Sequence, residues 1–474
     1  MRHYPKLFFL LLFLVLSCSK NDKECGTIDN CNTIGRTVFF ISNDKPLSFL
    51  PSVDLDAWGA IESIEDRLAV CEVPQSILSQ MTTEALALTI AQYPLNYLVF
   101  AYSDPNQAIR YLIENSSIHR EFMRREDNSH YLIGLLTQST MQFESRTDVR
   151  EKSPIISYGD EMMLEYLLSS EEVSAKIKDE DRSVLSDMIL EKAVERLSDT
   201  LHYSSQSIEP LKSIDAAVDL GIVHLADPIT KGGEFVGYVT LSTPLGKSIQ
   251  GVVRNELTNT ELINITNTAA ENYPNAIIRG SATAKYNCHS YAWYDDSKDN
   301  QYWINYEDNN GTFQLSNYWT NDVYVSTDEA TANRAYYASG DHSAVILSNG
   351  NYLSKWGAYP LMEHSKEYCP YSTQDMQYFK YRTTPCYMLS ASGPSPVALN
   401  QLNSYNVTSN LPKLEYSWEV RYMDAPEPKP FDLYENNGQC TLVCKEYGLF
   451  KLYVYGQYKG NTVASGQYNV VATP

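Results

Sequence analysis

The most informative stretch of the chain lies just past its midpoint. It reads Lys285-Tyr286-Asn287-Cys288-His289-Ser290-Tyr291-Ala292-Trp293. Asn is a favoured N-cap residue, so Asn287 predicts a helix whose first residue is Cys288. At that position the helix dipole and the free backbone N–H groups favour a thiolate over a thiol. The same N–H groups would stabilise the oxyanion that forms when a thiolate attacks a carbonyl carbon. Cys288 is therefore a candidate nucleophile.

A cysteine nucleophile needs a base, and the candidate is His342. It follows Gly340-Asp341 and begins a strand-like run, Ser343-Ala344-Val345-Ile346-Leu347. Asn349-Gly350 then predicts a two-residue hairpin turn, after which residues 352–356 return beside the first strand. An imidazole on a strand that faces a Cys at a helix N-terminus is the arrangement that papain-like enzymes use for acyl transfer.

These two motifs resemble those of a known family. Residues 288–293 are similar to the Cys-x-x-Tyr-Ala-Trp helix start of CHAP amidases, and residues 340–345 resemble their Gly-His-Val-Ala strand with one residue inserted. The related NlpC/P60 peptidases share this order of Cys helix, His strand and polar third residue. The resemblance covers roughly residues 285–357. It implies that Cys288 is the nucleophile, that His342 is the base and that peptidoglycan peptides are the substrate. The thiol reaction requires no metal and no organic cofactor.

The third catalytic residue departs from the family pattern. On the strand after the histidine, where those families place an acid, Asn or His, this chain has Lys355, which cannot accept a hydrogen bond. A two-residue turn would put His342 opposite Gly357, with Lys355 on the same side and Ser354 on the other face. A one-residue slip would exchange Lys355 and Ser354. His364 or a backbone carbonyl could also orient the base, and we take His364 as the candidate.

The first residues predict export and a lipid anchor. Arg2 and Lys6 precede an apolar run over residues 7–16, which is too short to span a bilayer but suits a signal peptide over residues 1–17. Leu16-Ser17-Cys18 resembles a bacterial lipobox, in which the Cys is acylated, and an ordinary secretory signal is the alternative. Acylation of Cys18 would anchor the protein to a membrane of the cell envelope, either in the outer membrane or at the cell surface.

The rest of the chain predicts a multidomain protein. Residues 18–40 form a polar tether, and residues 41–232 predict a mainly α-helical domain of unknown role. Residues 233–391 predict an α+β papain-like domain that holds Cys288 and His342. Alternation of apolar and polar residues near Trp418 predicts an all-β, immunoglobulin-like sandwich over residues 396–474.

Charge limits the partners. The chain has 37 Lys and Arg against 58 Asp and Glu, a net charge of −21. Nucleic acid is therefore not expected as a partner, because phosphate binding draws on Lys and Arg. Besides a peptidoglycan amidase or endopeptidase, the sequence leaves two functions open. One is a non-catalytic surface adhesin or binding lipoprotein, and the other is a cysteine peptidase that acts on proteins.

Nine cysteines in an exported protein predict disulfides. Cys440 and Cys444 are four residues apart in a strand-like run. Their Cα atoms are then about 13 Å apart, too far for a bridge. Two other pairs are close in sequence and are candidate bridges, namely Cys25 with Cys31 and Cys369 with Cys386.

Overall fold

The computed structural model describes residues 38–52, 54–142, 155–222, 235–305, 314–409, 411–424 and 430–474. The signal peptide, Cys18 and most of the polar tether therefore lie outside the described residues. Within these ranges, no helix combines the length and the apolar composition that a membrane crossing needs.

The N-terminal region is mainly α-helical, as predicted. In the described part of this region, two short strand pairs accompany the helices: β1 (Val38–Phe39) with β2 (Ser48–Phe49), and β3 (Thr140–Gln142) with β4 (Ile155–Ser157). The helices are α1 (Leu55–Gly59), α2 (Ile64–Val70), α3 (Gln75–Leu78), α4 (Thr83–Ala91), α5 (Pro105–Asn115), α6 (Ser117–Arg124), α7 (Asn128–Gln138), α8 (Tyr158–Ser169), α9 (Glu171–Ser174), α10 (Asp179–Ser198) and α11 (Glu209–Val218).

Local sequence explains where these helices begin, and buried charge joins two of them. The Asp104 side chain accepts from the Asn106 N–H, and Pro105 occupies the first turn of α5. Arg196 of α10 reaches the Glu165 carboxylate of α8, with 2.7 Å between Nη2 and Oε1, and both side chains are buried. Since breaking a buried ion pair is costly, this contact fixes α10 against α8.

The central region is built on antiparallel strands. Its elements are β5 (Phe235–Ser242), β6 (Ser248–Arg254), α12 (Asn259–Asn272), β7 (Ile277–Gly280), β8 (Trp303–Ile304), β9 (Tyr324–Ser326), β10 (Arg334–Tyr337), β11 (His342–Ile346), β12 (Tyr352–Lys355), β13 (Leu361–His364) and β14 (Met376–Tyr381). Seven strands form a sheet in the order β7-β13-β12-β11-β10-β14-β9, and β5-β6-β8 form a second sheet. A capping box between Thr258 and Glu261 starts α12.

Each face of the seven-stranded sheet packs into a different hydrophobic core. Ala335, Tyr337 and Ala344 share a core with the N-terminal helices. The opposite face carries Tyr336, which packs in a second core together with Trp293. Trp293 belongs to a short helical segment, residues 288–294, that begins with two α-helical residues and continues as a π-helix over Ser290–Tyr294. We call residues 288–294 the site helix.

The C-terminal region is all-β, as predicted. Its strands are β15 (Tyr387–Met388), β16 (Ala391–Ser392), β17 (Val397–Ala398), β18 (Asn403–Val407), β19 (Glu415–Tyr422), β20 (Phe431–Asn436), β21 (Gln439–Cys444), β22 (Gly448–Tyr458) and β23 (Asn461–Thr473). One sheet runs β15-β23-β22-β19 with β17 also on β23, and the other runs β16-β18-β21-β20. Because β15 and β16 pair with these strands, both sheets begin before residue 396.

Candidate functional site

The site helix begins where the sequence predicts. The Asn287 Oδ1 atom accepts from the Ser290 N–H at 3.0 Å, and its Nδ2 atom donates to the Ile304 carbonyl at 2.8 Å. These bonds make Asn287 a fully engaged N-cap and leave Cys288 as the first helical residue. The Cys288 side chain is buried, with 2 % of its surface exposed.

The imidazole that borders Cys288 belongs to its neighbour, His289. Its Nδ1 atom lies 2.9 Å from the Ser343 hydroxyl, and its Nε2 atom lies 3.3 Å from Asp341 Oδ1. Burial disfavours the charged ring, but Cys288 and Asp341 oppose that effect and raise the pKa of His289 to about 10. His289 is therefore a charged imidazolium next to Cys288.

Asp341 connects three parts of the chain. It lies in the turn before β11, with φ of 42°. Its carboxylate is 3.3 Å from Asn305 Nδ2 and 3.5 Å from Gln107 Nε2, in addition to its contact with His289. Burial raises the pKa of Asp341, but the nearby His289 charge and the hydrogen bonds from Gln107 and Tyr336 outweigh it and lower the pKa below its usual value. Asp341 is therefore an anion that holds the His289 ring.

His342 lies on the other face of the sheet. In the β10–β11 ladder Ser343 is opposite Tyr336, and the Ser343 hydroxyl also accepts from Trp293 Nε1 of the site helix at 2.8 Å. Successive side chains of a strand point to opposite faces, so His342 points away from the site helix. Its ring stacks on Tyr371 at a centroid distance of 3.7 Å.

The His342 ring is neutral and makes no hydrogen bond. Both of its nitrogens are buried without a partner. Burial, with smaller contributions from His289 and His364, lowers the pKa of His342 well below its usual value. No hydrogen bond joins it to Cys288, and its role as a base stays a prediction.

The predicted two-residue turn between β11 and β12 is wrong. Val345 pairs with Leu353 and Ile346 with Tyr352, which leaves a three-residue loop over 348–350. The reason is local: a type I′ turn needs positive φ at both Asn349 and Gly350, and of these two only Gly350 has it, at 86°. Relative to the predicted pairing, this register is shifted by one residue. Ser354 therefore lies on the same face of the sheet as His342, and Lys355 lies on the face that carries the site helix.

His364 is held by groups other than His342. Its Nε2 atom is 2.8 Å from the Ser354 hydroxyl, and its Nδ1 atom is 2.7 Å from the Ser365 carbonyl oxygen. Burial lowers the pKa of His364 to about 4, against the Ser365 hydrogen bond and the nearby Glu363 charge. The ring is therefore neutral, with Nδ1–H donating to Ser365. No hydrogen bond links it to His342, and its catalytic role likewise stays a prediction.

Lys355 braces the chain that leads into the site helix. Its ammonium donates to the carbonyls of Thr283 at 2.9 Å and Gly357 at 2.6 Å, and also to that of Tyr359. Burial lowers the pKa of Lys355 to about 7, while Glu256 and Cys288 act in the opposite direction. Three carbonyl acceptors match the three N–H donors of an ammonium group, so this contact fixes the backbone around the site.

A segment of the N-terminal region, residues 97–107, covers the site, and we call it the cover segment. Its Phe100 carbonyl accepts from the Ala358 N–H at 2.9 Å, and its Ala101 carbonyl accepts from the Tyr371 hydroxyl. Ser103 Oγ lies 3.4 Å from Asn287 Nδ2. With Gln107 on Asp341, these contacts make the helical region part of the site.

The described cysteines are free thiols. The expected bridge between Cys369 and Cys386 is absent, since both residues are unpaired, Cys369 buried and Cys386 exposed. Cys440 and Cys444 both lie on β21 and are both free, as expected from their spacing. Cys25 and Cys31 lie outside the described residues. Among the residues that the structure describes, no cluster of His, Cys, Asp and Glu could hold a metal ion.

The sequence interpretation gave no role to His289 or Asp341. A signal for Asp341 was present, because it is the residue inserted between Gly340 and His342 relative to the Gly-His-Val-Ala pattern. His289 had no such signal, since a His beside a Cys at a helix start is usually a structural residue. Comparison of the chain with protein-family models, curated proteins and solved structures finds no match.

Proposed function

We propose that this protein is a cell-envelope lipoprotein with thiol-dependent amidase or endopeptidase activity centred on Cys288. The observation that carries the proposal is the contact set of His289, whose ring lies between Asp341 and Ser343 and borders Cys288. Peptidoglycan peptides are the substrate that the CHAP-like motifs suggest. A papain-like central domain, an immunoglobulin-like C-terminal sandwich and a lipid on Cys18 belong to the same proposal.

The proposed reaction is hydrolysis of an amide through a thioester. The Cys288 thiolate attacks the carbonyl carbon, and the oxyanion is held by backbone N–H groups at the start of the site helix. Asn287 Oδ1 already accepts from Ser290, so the donors left are the N–H groups of Cys288 and His289. The imidazolium gives its proton to the leaving amine as the C–N bond breaks. Water then attacks the thioester, its proton passes to the imidazole, and the thiolate is restored.

The test is the rate of iodoacetamide labelling at Cys288 against pH. Cys386 is exposed, so a Cys386→Ser background with peptide-resolved mass spectrometry isolates the Cys288 signal. We expect an apparent thiol pKa well below the free value of about 8.5, rising in His289→Gln and unchanged in His342→Gln.

The other outcomes of the labelling test are equally informative. A rise in His342→Gln alone would keep the thiol function and return the base to His342. Labelling near the free-thiol value in all three proteins would identify a structural cysteine and overturn the proposal.

Burial favours a second candidate function, a non-catalytic surface adhesin or binding protein. Cys288 has only 2 % of its surface exposed, and His342 is fully buried without a hydrogen bond. A decayed or purely structural site would look like this. If the labelling test fails, binding of the intact protein to cell-wall fragments becomes the next measurement. For the third possibility, a peptidase acting on proteins, digestion of casein beside purified peptidoglycan separates the two substrates.

A further inference from the structure

An open cleft lies beside the chain that leads into the site helix. It has a volume of about 870 Å³, within the range of roughly 300–1,000 Å³ typical of ligand sites. One wall is continuous along residues 278–283, and Tyr286 also lines the cleft. The first three residues of the wall belong to the strand β7, which ends at Gly280, and residues 281–283 continue the wall without regular structure, so the wall offers a line of main chain along which a peptide could lie. Tyr286 is two residues before Cys288, which puts their Cα atoms within about 7 Å.

The cleft carries positive charge in a strongly acidic protein. Lys285 and Lys298 line it, and within the described part of the chain neither forms an ion pair. Lys285 Nζ donates instead to the Arg254 carbonyl at 3.1 Å, which leaves its charge uncompensated. Arg279 also lines the cleft but is paired with Glu363 at 2.7 Å.

Two carboxylates line the same cleft, and they differ in what they offer a ligand. Glu256 is turned toward the wall, where it accepts from the Ala284 N–H at 2.8 Å and from the Thr283 hydroxyl. Asp299 is exposed. Three basic residues, Lys285, Lys298 and Arg279, line the cleft against these two carboxylates, so its lining is slightly basic in a chain whose net charge is −21.

The wall begins at the edge of the seven-stranded sheet. β7 is the terminal strand, paired on one side with β13. Among the described residues no strand covers its other side, and Ile277 and Ile278 are 47 % and 43 % exposed. An uncovered edge strand presents main-chain N–H and C=O groups that can pair with an added strand.

We propose that this cleft binds an extended peptide with carboxylate side chains. Its main chain would lie along the edge of β7, and its carboxylates would bind Lys285 and Lys298. The inference deepens the proposed function and rests on it for the fate of the peptide, because a chain bound here leads toward Tyr286 and Cys288. Binding itself does not need the thiol.

The experiment measures peptide binding to full-length protein with Cys288→Ala, which removes the chemistry. Fluorescein-labelled hexapeptides of alternating Glu and Ala are compared with Gln/Ala peptides by fluorescence anisotropy at 50 mM and 300 mM salt. We expect the Glu peptide to bind at least tenfold more tightly at low salt, and the preference to shrink at high salt. The double variant Lys285→Glu, Lys298→Glu should lose this preference. The control, Lys45→Glu with Lys451→Glu, makes the same change in net charge and should keep it.

Equal affinity for the two peptides, or equal loss in the cleft and control variants, would overturn the proposed peptide site. That result is independent of the labelling test. Selective peptide binding with an unreactive Cys288 would support the proposed peptide site and refute the thiol function. A reactive Cys288 without selective binding would support the thiol function and refute the peptide site.

Discussion

Gly357, just past β12, lies directly against the cover segment, and replacing it should damage both stability and the site. Its φ is 49°, and a Cβ atom there would lie 2.3 Å from the Phe100 carbonyl oxygen and 2.6 Å from that of Ala101. The left-handed backbone costs an L-residue about 1–2 kcal/mol. Moving two backbone carbonyls adds about 1–3 kcal/mol, as overpacking does elsewhere. We therefore expect Gly357→Ala to lower the free energy of unfolding by about 3 kcal/mol.

Gly350→Ala is the matched control, because Gly350 also has positive φ, 86°, but nothing lies within 4 Å of its added Cβ. It should cost only the backbone term of about 1–2 kcal/mol. Urea unfolding followed by Trp fluorescence measures both variants, and Cys288 labelling at fixed pH gives a second readout. Labelling should become faster in Gly357→Ala alone, because only that change pushes the cover segment off the site. Equal losses and equal labelling in the two variants would refute the reasoning.

Three further predictions concern single side chains. Asp341→Asn removes the anion 3.3 Å from His289 Nε2, so the pKa of His289 should fall and Cys288 labelling at pH 6.5 should slow at least tenfold. Lys355→Met leaves three buried carbonyls without a donor and should lower the free energy of unfolding, measured in urea, by about 4 kcal/mol. Lys366→Met breaks a partly exposed ion pair with Glu329 and should lower it by less than about 1 kcal/mol. The pKa of His364 is about 4 in the folded protein and 6.5 in the unfolded chain. Between these values the unfolded chain binds a proton that the folded protein does not bind. The folded state is therefore fully stable with respect to His364 above pH 6.5, and it loses stability as the pH falls toward 4. Between pH 7 and pH 5 that loss is about 2 kcal/mol. In urea unfolding at the two pH values, His364→Gln should reduce the fall in the free energy of unfolding by this amount. An unchanged fall would contradict a neutral His364 ring in the folded protein.

Features set by local sequence were predicted well. The N-cap Asn287, the start of the site helix at Cys288, and the helical and all-β ends of the chain all follow from residues within one turn or one strand. Such bonds form between near neighbours, so spacing and residue type are enough to find them.

Features set by a single dihedral angle or by distant contacts were not predicted. The hairpin register depended on the φ of Asn349, which Asn-Gly does not fix, and the one-residue slip exchanged Ser354 and Lys355 between faces. The imidazole beside Cys288 was missed because Asp341 and Ser343, which hold it, are more than 50 residues away in sequence. The contacts of the cover segment with the site were not predicted for the same reason, because they join residues that are far apart in sequence.

The span of the contacts around the cover segment has a consequence for the order of folding. The Tyr359 hydroxyl bonds the Tyr97 carbonyl across 262 residues, and the Tyr371 hydroxyl bonds the Ala101 carbonyl across 270. During synthesis, which proceeds from the N-terminus, residues 97–107 therefore cannot make these contacts until the sheet around β12 and β13 has emerged. Contacts this distant in sequence close slowly. A nascent chain released before Tyr371 would hold Cys288 without its finished surroundings, so the thiol environment forms only after residues 97–107 and Tyr371 have come together.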